Sequence, residues 1–425
     1  MLGLLDLRER GERLEPSRFE SDPTVTETVR GILQRVREQG DPVLKELAER
    51  FDGADLPSLI VGDDEFARAE AEIPEDLRGA LDALIVRLHD LHRRQLPPEW
   101  WDERDGVRFG EVVRPLAAVG CYVPGGRAVY PSSVCMTVVP AVVAGVREIV
   151  LCTPPQPDGS IPTPVLYAAR KAGATVVVKS GGAQAIGALT FGTDSVPAVD
   201  RVVGPGNAYV TEAKRQVAGI VGIDGLAGPS ELAIVADGTV DPAVAALDLI
   251  AQAEHDPEAR TFLITAEPGV IDRVGAALDD ALATAGRREI VDAALSHARM
   301  VLVRDRQHAA DVVDDLAPEH LQLLVANPDA FLATVRNAGA VFLGPWSAVP
   351  FGDYGVASNH VLPTAGTSRF ASGLRAADLV TVRSVIEMSP AAATRLAPQT
   401  STIARSEGLV GHAAAMDARM EKDAP

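Results

Sequence analysis

The chain has 425 residues, a length that suggests two to four domains and excludes a fibrous or mini-protein design. Apolar residues make up 47% and charged residues 23%, while 37 Gly and 30 Pro follow no repeat, which excludes disorder and collagen. Forty Lys plus Arg against 59 Asp plus Glu leave a net charge of −19, which argues against nucleic-acid and anionic-membrane partners.

The N-terminus, MLGLLDLRERGERLEP, carries Asp6 and then alternating charges where a signal peptide needs an apolar core. The longest nearly uncharged run, Val134 to Val146, is interrupted by Pro140 and is too short to span a bilayer. A cytoplasmic protein is expected. Helical periodicity covers 22 to 95, with Ser21 or Asp22 as cap, Pro23 in the first turn and a long amphipathic stretch from about Pro74 to Leu96. His89 and His92, among Arg and Asp on that stretch, read as a solvated face.

From about residue 115, short β-rich runs alternate with helical segments: LAAVGCYV (116–123), EIVLC (148–152), TVVVKS (175–180) and DRVVG (200–204). Spacing of roughly 25 to 30 residues is the βα signature of a parallel sheet. A second series follows, with ELAIVAD (231–237), RTFLIT (260–265), MVLVRD (300–305) and AVFLG (340–344), so two sheet domains are expected. After Gly352 the chain turns irregular, then ends in a polar helical tail from about Thr394 to Met420. So few large apolar residues there suggest packing against something else, a partner subunit being one candidate.

Three Gly-rich stretches follow predicted strands: VGCYVPGG (119–126), SGGAQAIG (180–187) and GPGN (204–207). None is the GxGxxG fingerprint, so tight turns and a dinucleotide site both stay open. Gln252 and His255 in IAQAEHDPEA fall three apart on a predicted helix and share a face. Asp353 and His360 lie in FGDYGVASNHVLP, and His412 follows Glu407 by five residues. Scattered N/O ligands of this kind suit a catalytic metal, although each residue alone also reads as a cap or a satisfied polar group. In DLAPEHL (315–321), Pro318 suits the first turn of a helix, which would put Glu319 and His320 at its positive end and favour a neutral imidazole able to accept a proton. A surface role for both is the alternative. Three cysteines without CxxC spacing argue against disulfides and a thiolate zinc site; Cys121 and Cys152 read as buried structural residues.

Taken together, VGCYVPGG, GGAQAIGALTFGTDSVPAVDRVVGPGNAYVTEAKRQV, AGPSELAIVAD, AQAEHDPEA, APEHLQLL, GAVFLGPWS, FGDYGVASNHVLPT and SEGLVGH, in this order from about residue 20 to 415, resemble the histidinol dehydrogenase family. The resemblance implies an α/β fold of two Rossmann-like parallel-sheet domains, with a helical N-terminal segment and a small C-terminal extension, in an intertwined homodimer. It divides the chain into 18–121 plus 232–374, 122–231, a small extension of 1–17 plus 375–398, and a tail of 399–425 that contacts the partner. The implied reaction is the four-electron oxidation of L-histidinol to L-histidine through L-histidinaldehyde, with NAD and one Zn²⁺ per subunit. By motif, zinc falls on Gln252, His255, Asp353 and His412, the last supplied across the dimer. NAD contacts fall on Tyr122, Gln184 and Asn207. Substrate contacts fall on Ser230, His320, Glu407 and the four metal ligands, with His360 in support, and Glu319 and His320 are the catalytic pair. A family member acting on another amino alcohol or polyol, or a non-catalytic metabolite binder, are the alternatives. Retention of Ser230, Glu407, Glu319 and His320 argues against both.

Overall fold

The computed structural model describes residues 3–9, 14, 18, 20–126, 128–356 and 358–420. In chain order its strands are β1 (Gly3–Asp6), β2 (Trp100–Arg104), β3 (Val107–Pro115), β4 (Ala118–Tyr122), β5 (Glu148–Thr153), β6 (Val176–Lys179), β7 (Arg201–Val203), β8 (Gly222–Ile223), β9 (Glu231–Ala236), β10 (Arg260–Thr265), β11 (Arg299–Leu302), β12 (His320–Leu324), β13 (Ala340–Leu343) and β14 (Val380–Met388). The chain forms two compact units, one holding the segment up to Gln95 with Leu116–Leu379, the other Leu96–Pro115 with everything from Val380 onward.

The first unit contains two parallel sheets. Among the described residues one has the order β1-β11-β10-β9-β12-β13 and the other β6-β5-β4-β7-β8. Both are doubly wound. In the five-stranded sheet, Val150, Cys152 and Val202 pack with Val29, Ile32, Leu33, Leu44 and Leu47 of the first two helices and with Ile186 and Val210 of later ones. In the six-stranded sheet, Leu232 and Ile234 face Leu249 and Val274, while the alternate residues Ala233 and Val235 face Val312 and Val313. Burial on both faces explains why β5 and β9 read as nearly unbroken apolar runs rather than alternations.

The helical start is as expected, divided into Pro23–Gln39, Asp41–Asp52, Asp63–Glu72 and Glu75–Arg93. Asp22 caps the first, its carboxylate accepting from the amides of Thr24 and Val25. His92 departs from the expected solvated face: it is fully buried, with Nδ1 2.8 Å from Gln95 Oε1 and Nε2 3.3 Å from Asn359 Nδ2. The stripe of Leu81, Leu84, Ile85 and Leu88 carries it inward.

The second unit is an antiparallel sheet, β14-β3-β2, with Val380 opposite Pro115 and Met388 opposite Val107. Two helices follow, Pro390–Ser406 and Val410–Asp417, joined by an Arg405–Asp417 ion pair. Glu407 caps the first at its C-terminus, and His412 lies on the second; both are exposed. No helix among the described residues is long and apolar enough to cross a membrane.

Candidate active site

The six-stranded sheet gathers its polar residues at the amino ends of β9 and β12. The helix Pro242–Ala253 leaves the carboxyl end of β9, runs back along the sheet and delivers Gln252 in its last turn to the level where Glu231 and His320 begin their strands. His320 Nδ1 lies 3.0 Å from the Glu231 carbonyl, which can only accept, so Nδ1 carries the proton and Nε2 keeps its lone pair. That Nε2 lies 4.0 Å from Asp353 Oδ1. Glu319 Oε2 accepts from the Glu231 amide at 2.9 Å and lies 3.5 Å from His320 Nδ1. One backbone unit, that of Glu231, thus holds both groups of the pair.

Burial sets their protonation. Desolvation pushes His320 down to about 4, opposed by the Asp353 charge. It pushes Glu319 well above the ordinary carboxylate value, opposed by the Glu231 amide and reinforced by the charges of Glu231 and Asp353. The imidazole is therefore neutral at pH 7, and the carboxyl group is a stronger base than a free one once ionised.

Two local expectations are corrected. Pro318 does not open a helix: the preceding helix ends at Leu316, Ala317 takes a left-handed turn with φ 47°, and His320 opens β12. The residue before a proline is disfavoured in right-handed helix, so Pro318 terminates one element instead of starting another, and the helix-dipole argument falls away. Likewise His255 lies beyond the helix that holds Gln252, because Asp256 precedes Pro257 and the helix stops at Ala253. The two stay within one turn, since the His255 amide donates to the Gln252 carbonyl at 3.3 Å.

The remaining ligand candidates divide by location. Gln252 is buried, and its Nε2 has no hydrogen-bond partner, while His255 is exposed and Asp353 half-buried. His360 binds the Asp353 carbonyl through Nδ1 at 3.0 Å and Ser133 Oγ through Nε2 at 3.1 Å, tying the Asp353 turn to the helix Pro131–Ala144. Both ring nitrogens of His360 are thus engaged by protein groups. Ser230 is half-buried next to Glu231. Glu407 and His412 belong to the second unit. No three His, Cys, Asp or Glu side chains among the described residues gather closely enough to hold a metal; the first unit offers His255, Asp353 and an amide.

Sequence reading missed several contributors. Glu231 was not singled out, although a charge opening an apolar parallel strand is a usable signal. Gln322, two residues beyond His320 on the same face of β12, donates to Asp248 Oδ2 at 2.6 Å, and Asp248 lies one helical turn before Gln252. Nothing in the sequence pairs those two.

Tyr122, Gln184 and Asn207 all belong to the layer built on the five-stranded sheet. Strand order reverses between β4 and β7, and the crevice outside the carboxyl ends at such a point is where doubly wound sheets bind ligands. Tyr122 ends β4, and its hydroxyl accepts from the Gly182 amide at 3.1 Å, which links it to the helix bearing buried Gln184. Gly204 follows β7 with φ 115°; a Cβ there would lie 2.1 Å from the Tyr122 carbonyl oxygen. Gly125 and Gly181 make room for Pro154, which a Cβ at either would meet at 2.6 and 2.7 Å. Asn207 caps the next helix, Oδ1 accepting from Tyr209 and Val210 amides at 3.1 Å, so its NH₂ is the end left to meet a ligand. At the matching reversal of the six-stranded sheet, Asp237 fills the space itself, accepting from the Ala326 amide at 2.8 Å and the Thr239 amide at 2.9 Å. The cysteines stand apart from all this chemistry: all three are buried, and desolvation pushes Cys121 and Cys135 up to about 12.

A buried imidazole with one ring nitrogen free of a proton, in a fold with glycine loops at a strand-order reversal, is an arrangement that suits an α/β oxidoreductase using a dinucleotide. The sequence model of histidinol dehydrogenases matches residues 16–420. The chain is 46% identical to the histidinol dehydrogenase of Halalkalibacterium halodurans over 93% of its own length and 94% of that protein's. The figure for the enzyme of Gluconobacter oxydans is 44%, over 96% and 95%. The crystal structure of histidinol dehydrogenase from Elizabethkingia anophelis superposes with a TM-score of 0.94 at 31% identity, covering 99% of this chain and 98% of that one. The chain belongs to the histidinol dehydrogenase family, and its redox partner is NAD.

Proposed function

We propose that the oxidation of L-histidinol to L-histidine, which family membership assigns to this chain, runs through L-histidinaldehyde on the Glu319–His320 pair. The observation that carries this reading is the Glu231 backbone bracket, which leaves His320 Nε2 as the open proton acceptor. In the first half-reaction His320 Nε2 takes the hydroxyl proton while hydride leaves the carbinol carbon for NAD⁺, a substrate of the reaction. In the second, Glu319 takes a proton from a water that adds to the aldehyde carbon. His320 gives its first proton to the aldehyde oxygen as water adds, then takes a proton from the resulting diol while hydride passes to a second NAD⁺, leaving the carboxylic acid. Ser230, Glu407 and His360 complete the substrate pocket, and Tyr122, Gln184 and Asn207 hold the dinucleotide at the crevice between β4 and β7.

Zinc fits the donor set of Gln252, His255, Asp353 and His412. Imidazole and carboxylate are ordinary zinc donors, and an amide oxygen can join them; the buried Gln252 amide has its Nε2 without a hydrogen-bond partner, and turning that amide over would put its oxygen in the same place. When bound, Zn²⁺ would orient the imidazole and amine nitrogens of histidinol and retain the aldehyde. Exposure of Glu407 and His412 supports their donation to a second copy, so we read the enzyme as a homodimer with shared sites. Three buried free thiols fit a reducing cytoplasm. The test is NADH yield with limiting L-histidinol. Two NADH per histidine, lost on chelation and restored by zinc, is expected; no NADH from folded, zinc-loaded protein would overturn the reading.

A further inference from the structure

Lys214 and Asp224 form a buried ion pair that touches neither member of the catalytic pair. Lys214 Nζ lies 2.5 Å from Asp224 Oδ1, with side chains only 4% and 9% exposed. The pair is joined to one residue at both of its backbone groups. Lys214 Nζ donates to the Gly204 carbonyl at 2.5 Å, and the Gly204 amide donates to Asp224 Oδ2 at 2.6 Å. The Asp224 carboxylate also accepts from the Gly225 amide at 2.8 Å, so the acid is itself fixed.

Gly204 needs such a hold. With φ 115° and no side chain it has wide conformational freedom, yet it must pass within contact of the Tyr122 carbonyl at the end of β4. Three residues on, Asn207 begins the helix Ala208–Val217, and that helix carries Lys214 on its buried side. The chain thus leaves β7, turns at Gly204, presents Asn207 and returns through Lys214 to the turn it started from. Asp224, just after β8, closes the loop from the neighbouring strand.

We propose that Lys214 and Asp224 are positioning residues for the dinucleotide: the buried pair clamps Gly204 by amide and carbonyl and thereby fixes Asn207 beside Tyr122. This rests on the reading of Tyr122 and Asn207 as NAD contacts. The clamp itself makes no contact with NAD, so its loss acts on the geometry of the loop. Removing one partner leaves an uncompensated buried charge and destabilises the protein, whereas removing both restores an apolar core yet leaves the Gly204 amide and carbonyl unheld. That asymmetry separates positioning from plain stability.

The experiment compares the wild type, Lys214→Met, the double variant Lys214→Met/Asp224→Leu, and Asn207→Ala, each as the zinc-loaded full chain. Melting temperature, zinc content and the KM values for NAD and histidinol are measured. The expected result is a melting temperature for the double variant well above that of Lys214→Met, with KM for NAD still raised about tenfold and KM for histidinol and zinc content within about twofold of wild type. A stable double variant with unchanged KM for NAD, beside a raised KM in Asn207→Ala, overturns the clamp alone. Unchanged KM for NAD in Asn207→Ala overturns the dinucleotide-site reading and the clamp with it. Should the double variant not fold, Lys214→Arg keeps the charge but misfits the geometry; a KM for NAD raised about threefold supports the clamp, and no change overturns it.

Discussion

Asp52 is the last residue of the helix Asp41–Asp52, and replacing it by Asn should stabilise the protein at neutral pH. Its Oδ2 is buried without a hydrogen-bond partner, and desolvation raises its pKa from an ordinary 3.8 to about 6. A helix C-terminus disfavours negative charge as well. Because the folded chain holds this proton up to about pH 6 and the unfolded chain gives it up near 3.8, the folded state binds more protons in that window. Stability therefore falls as pH rises from 3.8 through 6, and the full penalty stands above 6. A shift of about two units corresponds to about 3 kcal/mol at most. The carboxyl group is partly solvated, so about 1–2 kcal/mol is the working figure. Asn keeps the shape and removes the charge. Urea unfolding followed by circular dichroism at half-unit steps from pH 5 to 8 measures the difference. The variant should gain about 1–2 kcal/mol at pH 7.5, with the gain shrinking toward pH 5. A variant no more stable than wild type at pH 7.5, or a gain that does not vary with pH, refutes the argument.

Other outcomes follow from the site. His320→Asn should lower both half-reactions by about 10²- to 10⁴-fold with zinc content near normal; full activity would remove it as the base. Glu319→Gln should impair oxidation of L-histidinaldehyde more than that of L-histidinol, and equal losses in the two separate assays count against water activation. Gly204→Ala would bring a Cβ to 2.1 Å from the Tyr122 carbonyl oxygen at a φ that alanine avoids, so weakened NADH binding by fluorescence titration and a lower melting temperature are expected.

Much of this architecture is written in the sequence because parallel strands buried on both faces leave dense apolar runs. All eight predicted runs became strands, from β4 and β5 to β11 and β13. The strand that carries His320 escaped notice because HLQLL holds polar residues at its first and third positions, where an enzyme places a base and its support. β14 was hidden for another reason: Val382 pairs with Val113, far away in the chain, and most of its residues are exposed, so no apolar face announces it. Glu319, His320 and the scattered metal-ligand candidates came from local pattern, and Tyr122, Gln184, Asn207 and Ser230 from motif resemblance, but neither could supply their geometry. That the Glu231 backbone holds Glu319 and His320 depends on β9 and β12 lying side by side, a long-range fact with no local trace. His92 failed as a surface residue because its partner, Asn359, is 267 positions away.

The three cysteines have a practical consequence. Cys121 lies on β4, Cys152 on β5 and Cys135 on the helix that connects them, all inside the layer built on the five-stranded sheet. A thiol reagent cannot reach them until that layer opens, and residues 153–425 contain no thiol to confuse the signal. Alkylation rates in the native protein therefore clock the breathing of one half of the first unit while the six-stranded sheet stays silent. Since the dinucleotide would rest on the same strand ends, its grip on the protein would be readable as a slowing of that clock, without a catalytic turnover.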